Sequence, residues 1–333
     1  MRAAVRVLLL CTLAGFIAHD VFTQLHEPLP IARGYLVDIP RGTPLNELLR
    51  DWQQKGVLTS SRQRIYLSGY ARLTGAARAV RAGEYAFGPG MSPIGLLELL
   101  VSGRVVLHEL RIIEGWRFED ALAAVREQAA IEQTLPQGDA AAFMSAIGHA
   151  GLHPEGRLYP DTYHFPRGTT DVAFVRRAFD TMAAALAQEW DTRDPDLPYT
   201  SSDQVLIMAS IVERETGAVA ERPEIAGVFM RRLQSGMRLQ TDPTVIYGLG
   251  ARFDGNLRKR DLLADTPYNT YTRAGLPPTP ICLPGRAALH AALHPAAGKT
   301  LYFVSRGDGS HQFSETVTEH EAAVRKFQLR HHR

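Results

Sequence analysis

The chain has almost no excess charge of either sign: in 333 residues, 37 Lys plus Arg stand against 35 Asp plus Glu. A balance this close gives no basic field for nucleic acid, and none is expected as a partner. Cysteine is nearly absent. Cys11 lies in a hydrophobic N-terminal stretch and Cys282 far from it, so no bridge between them is expected and the fold cannot depend on one. A chain of this size is stable without such staples in the cytoplasm or outside it. There is no Walker-type phosphate loop, no dinucleotide glycine pattern and no GxSxG. Cys282 sits between Ile281 and Leu283 without a flanking charge, which argues against a nucleophilic thiol. His290 and His294 have the i, i+4 spacing of two ligands on one helix face, but no HExxH accompanies them. Pro295 directly after His294 marks a helix terminus with a capping histidine, and neither a metal nor another cofactor is expected.

What is present is apolar content of 45%, enough for a sizeable core over two or three folded units. Val7 to Ala18 is an uninterrupted apolar run behind Arg2 and Arg6, and Ala3 to Phe22 reaches spanning length if Arg6 snorkels. His19 and Asp20 then fall at the far interface. Phe16 two residues before Ala18 spoils a small-x-small cleavage site, so residues 1–25 are expected to form an uncleaved single-pass anchor rather than a removed signal.

Three segments share an entry pattern in which a short strand turns at Gly into a helix: Ile39 and Gly42 before Leu45, Leu48 and Leu49; Phe87 and Gly90 before Leu96 and Leu97; Ile112 and Gly115 before Phe118, Ala121 and Leu122. Thr43–Pro44 and Ser92–Pro93 supply cap and first-turn chemistry. The predicted fold class is α+β, with residues 36–106 as one small unit and 107–200 as a mostly helical connecting region around the loop PEGRLYPDTYHFPRGTT. Asp191 to Ser202 reads as an exposed loop or linker, and 201–333 as a mixed α+β domain whose helices alternate with Pro/Gly-rich polar loops.

That last domain opens with the chemistry. Ser201 and Gln204 have capping-box spacing, and in VLIMASIVERET apolar side chains cover nearly the whole helix circumference, as on a helix buried inside a domain. Glu213 and Glu215 point to roughly opposite sides of it. Glu215 falls between the directions of Met208 and Ile211, where desolvation raises a carboxyl toward the range of a general acid, while Glu213 looks structural. The competing reading pairs both with Arg214 or Arg222. Gly217 is the expected helix stop, and a second helix runs from Arg222 through Leu233. Met237, Leu239 and Thr241 alternate in strand fashion before Asp242–Pro243, and Tyr268–Asn269–Thr270–Tyr271 with GLPPTP combine aromatic faces and amides that suit sugars or, equally, a structural loop.

The strings ASIVERETG, ERPEIAGVFMRRLQSGMRLQTDPTVIYGLG and PYNTYTRAGLPPTPI resemble the endolytic murein transglycosylases, the MltG or YceG-like family. The likeness extends back through LYPDTYHF and IIEGWRFED and forward through HPAAGKTLYFVSRGDGSHQFSETVTEH, covering essentially the whole chain. It implies that the small unit is LysM-like, with a βααβ order, and that the activity is a lytic cut between N-acetylmuramic acid and N-acetylglucosamine leaving a 1,6-anhydro end. Such a lyase would act on nascent glycan strands at the periplasmic side of the inner membrane, terminating elongation beside peptidoglycan synthases. The second Glu of the family's E-x-E-T motif maps onto Glu215 as the catalytic residue, and Gln240, Thr241, Asp242, Tyr247, Tyr268, Asn269 and Tyr271 match blocks expected to bind substrate. Cys282–Leu283 departs from the smaller or polar residues expected before Pro284–Gly285, which touches only local loop packing. Two rivals stay open: a hydrolase of the same substrate with Asp242 as second carboxylate, and a non-catalytic peptidoglycan-binding scaffold.

Overall fold

Short strands that turn sharply into amphipathic helices build the first part of the computed structural model, which describes residues 2–135 and 140–328. Met1 of the expected anchor, residues 136–139 of the connecting region and residues 329–333 of the expected C-terminal domain lie outside the described residues. The chain divides into two compact units, 1–108 with 164–168, and 109–163 with the residues from 169 onward. All three strand–Gly–helix entries are formed, with Gly42, Gly90 and Gly115 at φ of 80°, 79° and 81°, the left-handed region that a Cβ disfavours.

In the first unit, Tyr35–Ile39 pairs antiparallel with Gly83–Phe87 in the register Tyr35↔Phe87 to Ile39↔Gly83. Helices Leu45–Gln54 and Ser61–Leu73 lie between these strands and Pro93–Ser102 follows. The helix over Ser61–Leu73 has few apolar positions, so only the βααβ order implied by the resemblance called for it; Ser60 caps it by accepting from the Gln63 N–H. Ser92 caps the later helix as expected, whereas Thr43 instead donates to the Pro40 carbonyl, leaving Pro44 as an N-cap without a side-chain bond. Leu49, Trp52, Leu67, Tyr85, Phe87 and Leu96 fill the core, with Trp52 edge-on to Phe87 at 5.4 Å.

The N-terminal helix runs Arg2–His26, and its Ala4–His26 portion is long and apolar enough to cross a membrane. Its side chains from Val5 to Ile17 are exposed, but its last turns are docked. Leu25 is buried in the first unit's core, Asp20 accepts from the Tyr66 hydroxyl at 2.8 Å, and Gln24 accepts from Ser60.

In the second unit the helix Ser202–Glu215 is the central element, with every residue from Val205 to Val212 buried. Helices Asp171–Asp191, Arg222–Gln234 and Arg286–Leu293 pack around it. The last approaches closely because its inward face is Ala288, Leu289, Ala291 and Ala292. Cys282 and Leu283 are both fully buried, Cys282 donating to the Ser210 carbonyl and Leu283 exchanging backbone bonds with Gly115 and Trp116, so the unusual pair serves as core. Both cysteines are free.

Several local expectations are corrected. Ser201 occupies the N-cap without a side-chain bond, because Gln204 accepts instead from the Thr200 N–H. The helix ends at Glu215 through an extended Thr216 (φ −144°) rather than through a left-handed Gly217. Residues 237–241 are not a strand: Gln240 is left-handed at φ 53°, which breaks any ladder after its one bond to the Thr270 carbonyl. The loop around LYPDTYHFPRGTT contains short strands at Thr162–Pro166 and Thr169–Thr170, the latter parallel to Ile131–Glu132. The C-terminal part adds an antiparallel pair, Tyr302–Ser305 with His311–Ser314, followed by a helix Val317–Phe327 with a Thr316/Glu319 capping box. The architecture is mixed α+β, and every sheet among the described residues has two strands.

Gly227 shows how tightly the second unit is built. A Cβ there would lie 2.5 Å from the Ala296 carbonyl oxygen, which Arg231 holds at 2.9 Å while the Ala296 N–H bonds the Pro223 carbonyl. Gly227→Ala is therefore expected to destabilise the chain by about 1–3 kcal/mol, measured as a lowered urea midpoint at unchanged m-value.

Candidate active site

The buried helix delivers two carboxylates to opposite surroundings. Glu213 has a side chain only 5% exposed; its Oε1 accepts from Arg222 at 2.6 Å and its Oε2 from the Gly285 N–H at 3.0 Å. This is a closed ion pair that ties the start of the Arg222–Gln234 helix to the turn before Arg286–Leu293. Arg214 turns away and donates to the Gly115 carbonyl.

Glu215, at the helix end, has no arginine partner of this kind among the described residues. Its Oε1 accepts a short hydrogen bond from the Thr241 hydroxyl. The carboxyl is only partly open to solvent, toward a cavity of about 540 Å³ that it lines. Desolvation raises its pKa from the ordinary 4.5 to about 7; the Thr241 bond opposes the rise, the Asp242 charge adds to it, and His311 and Arg232 oppose it more weakly. The surroundings are thus a polar loop as well as the apolar face that the helix pattern implied.

The loop is held by hydroxyls that helix and strand patterns do not reveal. The Thr270 Oγ1 accepts from the Thr241 N–H at 3.1 Å, and the buried Thr244 Oγ1 donates to the Thr241 carbonyl at 2.8 Å and lies 2.9 Å from Thr270 Oγ1. From below, Arg232 donates to the Leu239 and Leu301 carbonyls, each at 2.7 Å, with its guanidinium 5.2 Å over the Tyr302 ring. A left-handed Gln240 in such a frame is strain held by its neighbours.

Four of the expected substrate residues, Gln240, Thr241, Asp242 and Tyr271, line this cavity with Glu215, and the Tyr271 hydroxyl donates to Asp242 Oδ1 at 2.6 Å. Tyr247, Tyr268 and Asn269 do not. Asn269 is fully buried: its amide donates to the Asp261, Leu262 and Ala264 carbonyls and its oxygen accepts from the Tyr271 N–H, so it braces the loop. Tyr247 and Tyr268 stack edge-on at 4.9 Å; Tyr268 bonds Thr279, and Tyr247 donates to Glu155 at 3.1 Å beneath Arg117. Glu155 was not anticipated. Desolvation raises it to about 7, against hydrogen bonds from the Phe118 N–H and Tyr247, and donors on both its oxygens make it a brace rather than a group facing the cavity.

The opposite wall was also missed. Tyr302, Phe303, Ser305, His311 and His320 come from the C-terminal strand pair and helix, and His311 is fixed by Glu221, which accepts from both its N–H and its Nδ1 side. The likeness to the family ran through this segment, but its residue pattern carries no periodicity that would aim it at a site some hundred residues earlier.

The two glutamates should respond oppositely to substitution. Glu213→Ala leaves the buried Arg222 without its main partner and is expected to cost about 3 kcal/mol in denaturant unfolding at pH 7. For Glu215 the folded chain holds the proton more tightly than the unfolded chain, so stability present below pH 4.5 is lost as pH rises toward 7. Glu215→Gln removes that loss: the variant should match wild type near pH 4 and exceed it by about 2 kcal/mol at pH 8.

The YceG-like family matches residues 37–326 of the chain. The chain is 30% identical over 308 residues to a Bacillus subtilis (strain 168) protein named endolytic murein transglycosylase, covering 87% of this chain and 84% of that one. A protein of the same name from Streptococcus pneumoniae serotype 2 (strain D39 / NCTC 7466) is 26% identical over 329 residues; that match covers 86% of this chain but only 57% of the longer relative. The crystal structure of a yceG-like protein, lmo1499, from Listeria monocytogenes superposes with a TM-score of 0.54 at 28% identity, covering 87% of this chain and 99% of that one. With the match running through both units and through every residue lining the Glu215 cavity except Gln328, the chain belongs to the YceG-like family.

Proposed function

We propose that the chain is an endolytic lytic transglycosylase of peptidoglycan, cutting between N-acetylmuramic acid and N-acetylglucosamine with Glu215 as single general acid and base. The observation that carries this reading is the Glu215 carboxyl, poised at about 7 in a polar and aromatic cavity by desolvation against one hydroxyl. A carboxyl raised that far keeps its proton into the neutral range. Glu215 gives that proton to the glycosidic oxygen as the C1–O bond breaks, then takes one from the C6 hydroxyl of the same muramic sugar as that oxygen closes on the oxocarbenium-like C1. The acid is regenerated, no water is consumed, and a 1,6-anhydro end results.

Gln240, Asp242 and Tyr271 offer amide, carboxylate and ring to sugar hydroxyls and C–H faces, while Thr241 holds Glu215 in place. Residues 1–25 serve as a single-pass anchor in the inner membrane with the remainder on the periplasmic side; the exposed apolar stretch from Val5 to Ile17, ahead of the docked last turns, supports this. Residues 36–106 act as a LysM-like glycan-binding module, a reading supported by the strand–helix–helix–strand order. Residues 107–200 connect it to the catalytic 201–333. Anchoring would hold the site beside peptidoglycan synthases, where new strands emerge. A hydrolase is the second reading, because Asp242 lines the same cavity and could activate a water.

Incubating the full chain in detergent with uncrosslinked glycan strands and identifying the ends by mass spectrometry tests the assignment. Anhydro ends from wild type and a loss of about 10³-fold or more in Glu215→Gln are expected. Reducing ends would move the chemistry to hydrolysis with Asp242, and intact strands from wild type would remove the enzymatic reading. The rate should also fall as pH rises through about 7, where Glu215 loses the proton it must donate.

A further inference from the structure

Away from the Glu215 cavity, three elements of the second unit bring imidazoles and a carboxylate together. Glu189 lies in the last turn of Asp171–Asp191, His290 is on Arg286–Leu293, and His294 is that helix's C-cap. One ligand atom from each falls within 4.8 Å of the other two. The sequence offered only the His290/His294 pair. The third group comes from about a hundred residues earlier, so spacing could not reveal it.

The cluster is arranged as ligands with outer support rather than as a finished ion-pair network. His294 Nδ1 lies 2.8 Å from Asp194 Oδ1, which fixes the ring and leaves Nε2 as its remaining nitrogen. That Nε2 is buried and finds no hydrogen-bond partner among the described residues. An orphan imidazole nitrogen whose ring is held by a carboxylate on its other nitrogen is the pattern of a metal-binding histidine. Glu189 is itself 5% exposed; its Oε1 is held by Arg286 at 2.8 Å, and its Oε2 lies 2.9 Å from His290 Nδ1. Arg286 can keep one oxygen while the other turns to an ion. His290 is more than half exposed and its ring lies 4.3 Å from that of His294, so it can swing aside to admit the ion and then ligate it.

The geometry points to a divalent metal site formed by Glu189, His290 and His294, with Asp194 and Arg286 as outer supports. Two imidazoles and one carboxylate suit a borderline ion of the zinc class and leave a fourth position for water. Donors in a tetrahedral zinc site stand roughly 3.4 Å apart, so the three side chains must close by about 1 Å on binding. The ion would tie the end of one helix and the 191–202 loop to Arg286–Leu293, the helix that packs directly on Ser202–Glu215. Its role is a staple behind the site, and the Glu215 chemistry does not route through it.

The test uses the full chain without an affinity tag, in detergent, stripped with EDTA and dialysed, then titrated with ZnCl₂ by calorimetry. One equivalent should bind, at least about 10-fold more weakly in His290→Ala and in His294→Ala. Zinc should raise the thermal midpoint of wild type and not of these variants. The exposed His290 makes His290→Ala a fair probe even if the cap variant folds poorly. MgCl₂ should give no comparable response, since a site with two imidazoles disfavours a hard ion. No saturable equivalent, binding that His290→Ala leaves unchanged, or an equal response to magnesium would each overturn the site.

Discussion

One carboxyl held out of water against one hydroxyl is the constraint around which the second unit is organised. Glu215 can hold its proton near neutral pH only if the helix beneath it is buried and dry, if none of the described arginines forms an ion pair with it, and if a single donor fixes its orientation without ionising it fully. Each condition has a visible source. Val205 to Val212 bury the helix on all sides, Arg214 and Arg222 are committed to Gly115 and Glu213, and Thr241 is pinned by Thr244 and Thr270.

The contrast between Glu213 and Glu215 shows how two residues of the same type two positions apart come to do different work. A rotation of near 200° carries one into a closed pair with Arg222 and the Gly285 N–H, and the other to the edge of an open cavity. The first locks neighbouring helices together. The second carries an electrostatic cost that the rest of the fold sustains, the cost that the proposed general acid requires.

Much of this was legible in the sequence because it follows from periodicity. The all-round apolar pattern of VLIMASIV gave a buried helix, the angle between Glu213 and Glu215 gave their separation, and the strand–Gly–helix entries gave three turns at glycine, which the structure shows to be left-handed. What was not legible depends on side chains meeting across long separations. The strand reading of 237–241 failed because a single left-handed Gln240 overrides alternation, and Asn269 proved to be a brace because three carbonyls from 261–264 converge on it. The Tyr302–His311 wall, the Glu155–Tyr247 bond and the approach of Glu189 to His290 have no local signature at all.

The central claim is the protonation state of one side chain, and it can be read directly. A carbon-13 NMR titration of the Glu carboxyls in the full chain, with the Glu215 resonance assigned by its loss in Glu215→Gln, measures it without reference to activity. The account predicts a midpoint near 7 for Glu215, moving upward in Thr241→Val as the hydroxyl that favours the ionised form is removed. A midpoint near the ordinary 4.5, unchanged by Thr241→Val, would contradict it.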